Sequence, residues 1–270
     1  MYYDFNLVIV IAHVGEARAI FDLDEFKEIT NSSFLAFRKH KIIIIISGEG
    51  RFRAAGAVSF AKALCEHKII FWLNIGCVGH RDFQIGTVVQ AGKIHDQELN
   101  RSWYPSTPFK KSIPVVEVNT CAKPAENYPN NVFYDMEASG FIELAQINSI
   151  PEQLAVVKVV TDNDSKPIQH LSINEIEMSI KKERNVIQSL VTDYLVKAAV
   201  IAESIKPISL PWWLRTVKFT VTQRNEVKRL INNYRVKFKD QKLPFLRILK
   251  NAPTRKILSQ IKREWNREGN

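Results

Sequence analysis

The chain has 270 residues, and its apolar fraction of 46% is enough for one large α/β domain with a buried core, which excludes a chain that is disordered throughout. Its formal charge of +10 is uneven, because residues 206–270 hold 17 Lys and Arg against 4 Asp and Glu, while residues 1–205 hold 21 against 24. The apolar run at 7–12 is too short for a signal peptide or a membrane span. The three cysteines have no paired spacing and form no His/Cys cluster, so we expect a cytoplasmic protein with no spanning segment, disulfide framework or zinc site.

Continuous β-branched runs predict strands that are buried on both faces of a sheet, and apolar residues at three-and-four spacing predict helices. The predicted elements, in chain order, are strand 6–12, strand 41–46, helix 53–66, strand 69–73, a strand opening at 86–90, strand 115–120, helix 138–146, strand 158–162 and a long helix from 173 to about 205. We predict a glycine-containing loop at 74–80. The proline-rich stretch 99–129 is otherwise irregular and is expected to include substrate-covering loops.

Two of these strands lead into polar residues. Open α/β sheets bind ligands at the carboxyl ends of their strands, so His13 and Glu16, after the first strand, are candidates for a site. The alternatives are a loop histidine and a glutamate that starts a helix. After the second strand, Gly48 and Gly50 either cradle an anion or only permit a tight turn.

The segment 133–140 carries two carboxylates, Asp135 and Glu137, on either side of Met136. Residues two apart on a strand point to the same face, and the helix predicted to follow would place both carboxylates near its N-terminus. These acids either favour the helix start or place a carboxylate where it can bind sugar hydroxyls.

The order of motifs resembles a known superfamily. The motifs are Ser-Gly-Glu-Gly before an alanine-rich helix, Asn-Ile-Gly-Cys-Val-Gly, Ile-Gly-Thr-Val-Val, Asp-Met-Glu-Ala, and Val-Lys-Val-Val-Thr-Asp. Over about 6–205 the chain is similar to the nucleoside phosphorylases and nucleosidases, and within them to the methylthioadenosine/S-adenosylhomocysteine (MTA/SAH) nucleosidases. The resemblance implies a three-layer α/β fold with a central mixed sheet flanked by helices in a domain of residues 1–205, a purine nucleoside substrate, no cofactor and a homodimer.

Cleaving an N-ribosidic bond develops positive charge on the sugar and negative charge on the departing base. The chemistry therefore needs an acid at the purine, a carboxylate on the ribose and a base near the attacking water. By the resemblance, Asp162 is the acid, with Thr161 where relatives have Ser. Glu137 is implied to hold the ribose hydroxyls, and Glu16 to activate the water.

The resemblance implies further substrate-binding residues. They are Met136 on the sugar, Asp135 where relatives usually have Glu, Gly76 and Cys77 in the third loop, and Thr120, Cys121 and Phe133 near the base. The alternative for Phe133 is a position in the core. Cys77 replaces the usual Ser, which exchanges a good hydrogen-bond donor for a weak one.

The choice between water and phosphate as the attacking group rests on one position. Phosphorylases of the superfamily typically place an Arg just before the third glycine loop, whereas this chain has Asn74 there. We therefore expect an adenosine-type nucleosidase rather than a phosphorylase, although Arg51, Arg53 and Arg81 could replace the missing arginine. A non-catalytic nucleoside-sensing module is the alternative from another class.

Residues 206–270 are predicted to form a basic amphipathic helical extension, with apolar positions at Val227–Phe238 and in a last helix, 254–265. Four interpretations remain open. Either the apolar faces are buried on the preceding domain, or the extension binds an anionic membrane surface, a nucleic acid or a protein. Binding to an anionic membrane surface would make the cytoplasmic protein peripheral to a membrane.

Overall fold

The structure is a computed structural model, and it describes residues 6–30, 32–65, 69–110, 112–125, 127–129, 131–204, 210–237 and 253–267. The chain divides into two compact units, Met1–Ser204 (unit 1) and Ile205–Asn270 (unit 2). In the described part of the chain, no helix has both the length and the apolar content that crossing a membrane requires.

Unit 1 is built on one mixed sheet of ten strands. The strands are β1 (Leu7–Ile11), β2 (Lys27–Glu28), β3 (Leu35–Lys39), β4 (Ile42–Ile46), β5 (Phe71–Gly79), β6 (Val88–Asp96), β7 (Arg101–Trp103), β8 (Val115–Thr120), β9 (Phe133–Asp135) and β10 (Leu154–Asp162). Their order is β10-β6-β8-β9-β5-β1-β4-β3-β2, and β7 pairs with β6. Because β10 also pairs with β5, the five strands β5, β9, β8, β6 and β10 close into a ring.

Helices cover both faces of the sheet. The helices of unit 1 are α1 (Val14–Ile20), α2 (Arg51–Leu64), α3 (Ala138–Ala145), α4 (Ile173–Lys182) and α5 (Arg184–Ser204). Successive residues of β1 alternate between two cores, since Val8 and Val10 pack with α2 and α3 while Leu7, Ile9 and Ile11 pack with α1, α4 and α5. This arrangement confirms the predicted three-layer α/β fold and explains why every residue of β1 is apolar and buried.

A close helix contact fixes one of these layers. Helices α2 and α3 approach so closely at Gly140 that a Cβ there would overlap the backbone carbonyl of Arg51. Backbone atoms cannot give way as a flexible side chain can, so glycine is required at this crossing. The same crossing places the start of α3, and hence the segment 135–137, beside the start of α2.

Three predicted elements differ in the structure. The glycine loop predicted at 74–80 is wrong for 74–79, because β5 continues to Gly79 in parallel pairing with β10. The long helix is interrupted at Glu183, which has φ −96° and ψ 8° and separates α4 from α5. Glu137 is not in a strand, because β9 ends at Asp135 and Glu137 already has helical dihedrals.

Unit 2 has a core of its own. It contains a short turn of 3₁₀ helix at Trp212–Leu214 and the helices α6 (Val221–Lys237) and α7 (Thr254–Arg267). Ten buried side chains pack together: Leu214, Phe219, Val227, Leu230, Ile231, Tyr234, Ile257, Leu258, Ile261 and Trp265. The predicted apolar faces of the two helices are therefore buried within unit 2 itself, whereas Phe238 lies outside the described residues.

Candidate active site

A cavity of about 450 Å³ opens at the carboxyl ends of β1, β5 and β10. These strands run parallel, so their carboxyl ends meet at one edge of the sheet, where α/β proteins bind ligands. The lining residues are Ala12, His13, Val14, Gly15, Glu16, Glu49, Cys77, Val78, Gly79, Pro124, Ala125, Tyr128, Tyr134, Asp135, Met136, Glu137, Thr161, Asp162, Ile168, Ile173, Ile176 and Glu177.

Asp162 is the last residue of β10, and only 6% of its surface is exposed. The Thr161 hydroxyl donates to Asp162 Oδ1 at 2.8 Å, and the Tyr128 hydroxyl donates to Oδ2. Burial raises the pKa of Asp162, and the two hydroxyl donors oppose that rise. The balance favours a carboxyl group that can hold a proton more readily than an exposed aspartate.

The contact between Tyr128 and Asp162 depends on Gly79. A Cβ at position 79 would overlap both Asp162 Oδ2 and the Tyr128 ring. Tyr128 is itself buried, with 2% of its surface exposed. Burial, followed by the hydrogen bond to Asp162, raises the pKa of the Tyr128 phenol, which therefore stays protonated and acts as the donor.

Glu137 lines the cavity and is the residue just before α3. Its Oε1 accepts a hydrogen bond from the backbone N–H of Gly50 at 2.8 Å, which ties it to the loop before α2. Burial raises the pKa of Glu137 to about 7, although the positive charge of Lys158 opposes the rise. Glu137 therefore changes charge near neutral pH.

Lys158 is a fully buried lysine in the middle of β10. Its Nζ lies 2.6 Å from Asp135 Oδ2. Burial alone would lower the Lys158 pKa, but the carboxylates of Asp135 and Glu137 outweigh it, and the pKa is raised. Lys158 is thus a permanent positive charge behind a wall of acids, where an unpaired lysine would be strongly destabilising.

Glu16 lies in the first turn of α1, at the end of β1. Its Oε1 accepts from the Cys77 thiol at 3.1 Å, and its Oε2 from the His13 backbone N–H at 3.4 Å. Burial and the neighbouring Glu16 raise the pKa of Cys77 well above its usual value, so the thiol remains protonated and donates. Cys77 is thus a neutral hydrogen-bond donor to Glu16.

No family model matches the sequence. No curated protein matches it either. Three solved structures are similar in fold. A mutant of the Helicobacter pylori MTA nucleosidase with 5′-methylthioadenosine in its active site is 15% identical with a TM-score of 0.56, covering 69% of this chain and 98% of its own. The MTA/SAH nucleosidase from Colwellia psychrerythraea in complex with adenine is 14% identical with a TM-score of 0.55, covering 73% and 98%. A futalosine hydrolase mutant of H. pylori is 15% identical with a TM-score of 0.57, covering 69% and 98%.

The chain has the nucleosidase fold. The resemblance inferred from the order of motifs is thereby confirmed at the level of architecture. At identities of 14–15% the likeness establishes the fold alone, and the reaction rests on the residues of the cavity.

The nucleosidase fold brings most of the predicted site residues together. The predicted residues that line the cavity are Glu16, Cys77, Asp135, Met136, Glu137, Thr161 and Asp162, together with the candidate His13. His13 is half-exposed, and its Nε2 lies 3.1 Å from Oε1 of Glu49. The three acids predicted from separate motifs thus share one cavity, although they are 146 positions apart at the extremes.

Four predicted residues are not among those that line the cavity. Gly76 lies behind the wall, where a Cβ would come within 3.2 Å of Lys158 Nζ. Thr120 is buried, and its hydroxyl donates to Asp135 Oδ1 at 2.7 Å. Phe133 packs in the core, with its ring centroid 4.3 Å from that of His80, and Cys121 donates to Gln97. Thr120 thus supports a cavity residue, and neither Thr120 nor Phe133 is among the residues that line the cavity.

Besides lining acids such as Glu49 and Glu177, two residues that contact the predicted acids were missed from the sequence. Tyr128 belongs to the irregular stretch 99–129, where no periodic pattern marks it. Lys158 did carry a signal, because a charged residue inside an apolar strand must be buried with a partner. Asp135 is that partner, and it is also held by the Ala138 N–H at 2.9 Å.

The cavity wall is acidic. Six of the described lining residues are Asp or Glu, and none is Lys or Arg. Lys158 supplies a positive charge from behind the wall without reaching the lining. The site is therefore suited to a neutral or positively charged ligand, and to a reaction in which positive charge develops.

Proposed function

We propose that unit 1 is a nucleosidase that hydrolyses the N-glycosidic bond of an adenosine-type nucleoside. The observation that carries the proposal is the meeting of Glu16, Glu137 and Asp162 in one cavity of about 450 Å³ at the carboxyl ends of parallel strands. A cavity of this size suits a small ligand, and the three carboxyl groups supply the acid, the ribose acceptor and the base that the reaction needs.

Asp162 is the general acid of this proposal. Burial raises its pKa, so Asp162 holds a proton more readily than an exposed aspartate, and it would pass that proton to the purine N7 as the glycosidic bond breaks. Tyr128 donates to the same carboxyl group, which stabilises the ionised form. For proton transfer, the purine must replace the Tyr128 hydroxyl as the hydrogen-bond partner of Asp162 Oδ2.

Glu137 is the ribose acceptor. An ionised carboxylate accepts hydrogen bonds from sugar hydroxyls more strongly than a neutral acceptor does. Lys158 favours that ionised form by its charge. Negative charge beside the ribose also stabilises the oxocarbenium-like sugar that forms as the base departs.

Glu16 is the base that activates water. One of its oxygens is held by the Cys77 thiol, and the carboxyl group lies at the end of β1, against the cavity. A water that donates to Glu16 would lose its proton to the carboxylate as it attacks the sugar. Cys77 orients this base and contributes no charge of its own.

Water is favoured over phosphate as the attacking group. Phosphate needs a cationic or multiply donating site, and no Lys or Arg is among the described lining residues. Asn74, which takes the place of the phosphorylase arginine, donates its side-chain amide to the Val10 carbonyl at 3.0 Å. Arg51 forms an ion pair with Asp96, and Arg81 with Asp164.

The test is an incubation of the full chain with a panel of adenosine derivatives that differ at the 5′ carbon, with and without phosphate. We expect free base at a rate that added phosphate does not change. Accumulation of ribose 1-phosphate would establish a phosphorylase instead. Tight nucleoside binding with no release of base would establish a nucleoside-sensing module.

A further inference from the structure

Unit 2 presents an exterior of one sign. Nine of its described Lys and Arg side chains are exposed: Arg215, Lys218, Arg224, Lys228, Arg229, Arg255, Lys256, Lys262 and Arg263. Against them stand two described acids, both half-buried. Glu226 pairs with Lys262, and Glu264 lies 3.1 Å from Arg263, so these acids already neutralise cations of the same unit.

Most of the described apolar side chains of α6 and α7 are not available to a membrane. A helix that lies in a bilayer interface buries an apolar face among the lipids. In α6 and α7 that face is turned inward, with Val227 and Ile261 fully buried and Trp265 3% exposed. The Trp265 ring packs edge-to-face with that of Trp213 at 6.4 Å, inside the core of unit 2.

Little apolar surface remains outside. Among the described residues of unit 2, Trp212 and Val221 are the large apolar side chains that are more than one-third exposed. Single exposed apolar residues are ordinary on protein surfaces. The described part of the exterior therefore offers charge without an inserting face, and its complement is a dense polyanion that does not require insertion.

We propose that unit 2 binds the phosphate backbone of a nucleic acid, without reading its sequence. Duplex DNA carries one negative charge per about 1.7 Å of its axis, so one segment can engage several of these side chains together and release their counterions. Five of the nine exposed cations are arginines, whose planar guanidinium groups can bind phosphate oxygens in pairs. This proposal does not depend on turnover in unit 1.

The experiment measures the affinity of the full chain for a random-sequence duplex oligonucleotide and for a single-stranded one, from about 50 to about 200 mM salt. With about four phosphate contacts, affinity for the duplex should fall roughly 100-fold over that range. The test variant is Lys228→Glu/Arg229→Glu on α6. Its matched control is Lys181→Glu/Lys182→Glu, an exposed adjacent pair on α4 of unit 1 with a similar change in charge.

We expect the α6 variant to lose at least about 10-fold in affinity on every sequence tested and to show a weaker salt dependence, while the α4 control stays near the parent. Helical circular dichroism and the melting temperature of both variants check that they fold. Three results would overturn the proposal: no binding at low salt, equal losses in the two variants, or sedimentation with phosphatidylserine-containing vesicles by a chain that does not bind nucleic acid.

Discussion

Unit 1 and unit 2 use charged residues in opposite ways. In unit 1, Asp162, Glu137 and Lys158 are drawn below the surface, where burial and close partners decide their protonation. In unit 2, cations such as Lys228 and Arg255 remain outside a small apolar core. Buried charges act on neighbours within a few ångströms and set chemistry. Exposed charges are individually weak and screened by salt, and they act together on an extended partner.

The largest expected effect comes from replacing Asp162, the buried acid of unit 1. Asp162→Asn should keep nucleoside binding and lose about 10²–10⁴-fold in kcat, because an amide cannot donate the proton that the base needs. Single-turnover kinetics and calorimetric binding separate the two effects. Asp164→Asn, an exposed aspartate two residues later, is the control and should keep parental turnover. Parental kcat in Asp162→Asn would mean that another group is the acid.

The next effect concerns the ribose. Glu137→Gln should lower kcat/KM by about 10–100-fold, since a charged acceptor of hydroxyl donors is replaced by a neutral one. In the parent, kcat/KM should fall as the pH drops below about 7, because the raised pKa leaves Glu137 protonated there. That limb should be absent from the variant. Exposed Glu152→Gln is the matched control, and a parental pH profile in Glu137→Gln would contradict the assignment.

A smaller effect tests whether the Tyr128 hydroxyl acts on the pKa of Asp162. Tyr128→Phe removes a donor that stabilises ionised Asp162, so the Asp162 pKa should rise. The protonated form is the active acid, and the alkaline limb of kcat/KM should therefore move to higher pH. Exposed Tyr104→Phe should leave the limb in place. An unmoved limb in Tyr128→Phe would show that the phenol does not act on the acid in solution.

The smallest expected effect is that of salt on turnover, and it compares the two units directly. Turnover of a neutral nucleoside should change by less than about twofold between 50 and 200 mM salt, because its contacts are short and shielded from solvent. Over the same range, nucleic-acid binding by unit 2 should weaken roughly 100-fold. Both are measured on one preparation of the full chain. A parallel loss of turnover would indicate that the cavity depends on long-range charge.

The sequence predicted the fold well where apolar patterning is strong. The β-branched runs of β1 and β4 could only be strands buried on both faces, and the structure has them so. The end of β5 was missed because Asn74, Gly76 and Gly79 are typical of loops. Their strand conformation comes from pairing with β10, which is distant in sequence and leaves no local pattern.

The site was predictable where chemistry coincides with strand ends. Glu16 and Asp162 follow or close buried strands, and both line the cavity. The sequence could not show that the Thr120 hydroxyl binds Asp135 instead of lining the cavity, because position along β8 does not reveal which way a side chain faces. Tyr128 could not be predicted, since its contact depends on the path of an irregular segment and on the space left by Gly79.

The acidic lining has a consequence for which molecules can enter. A phosphate monoester brings roughly two negative charges at neutral pH. The acidic lining, which has no Lys or Arg among the described residues, would repel it, so a nucleotide should be discriminated from its nucleoside by charge. A nucleic acid held by unit 2 would be excluded from the cavity for the same reason. One chain would then bind the nucleoside in the cavity and its phosphorylated form, within a nucleic acid, on unit 2.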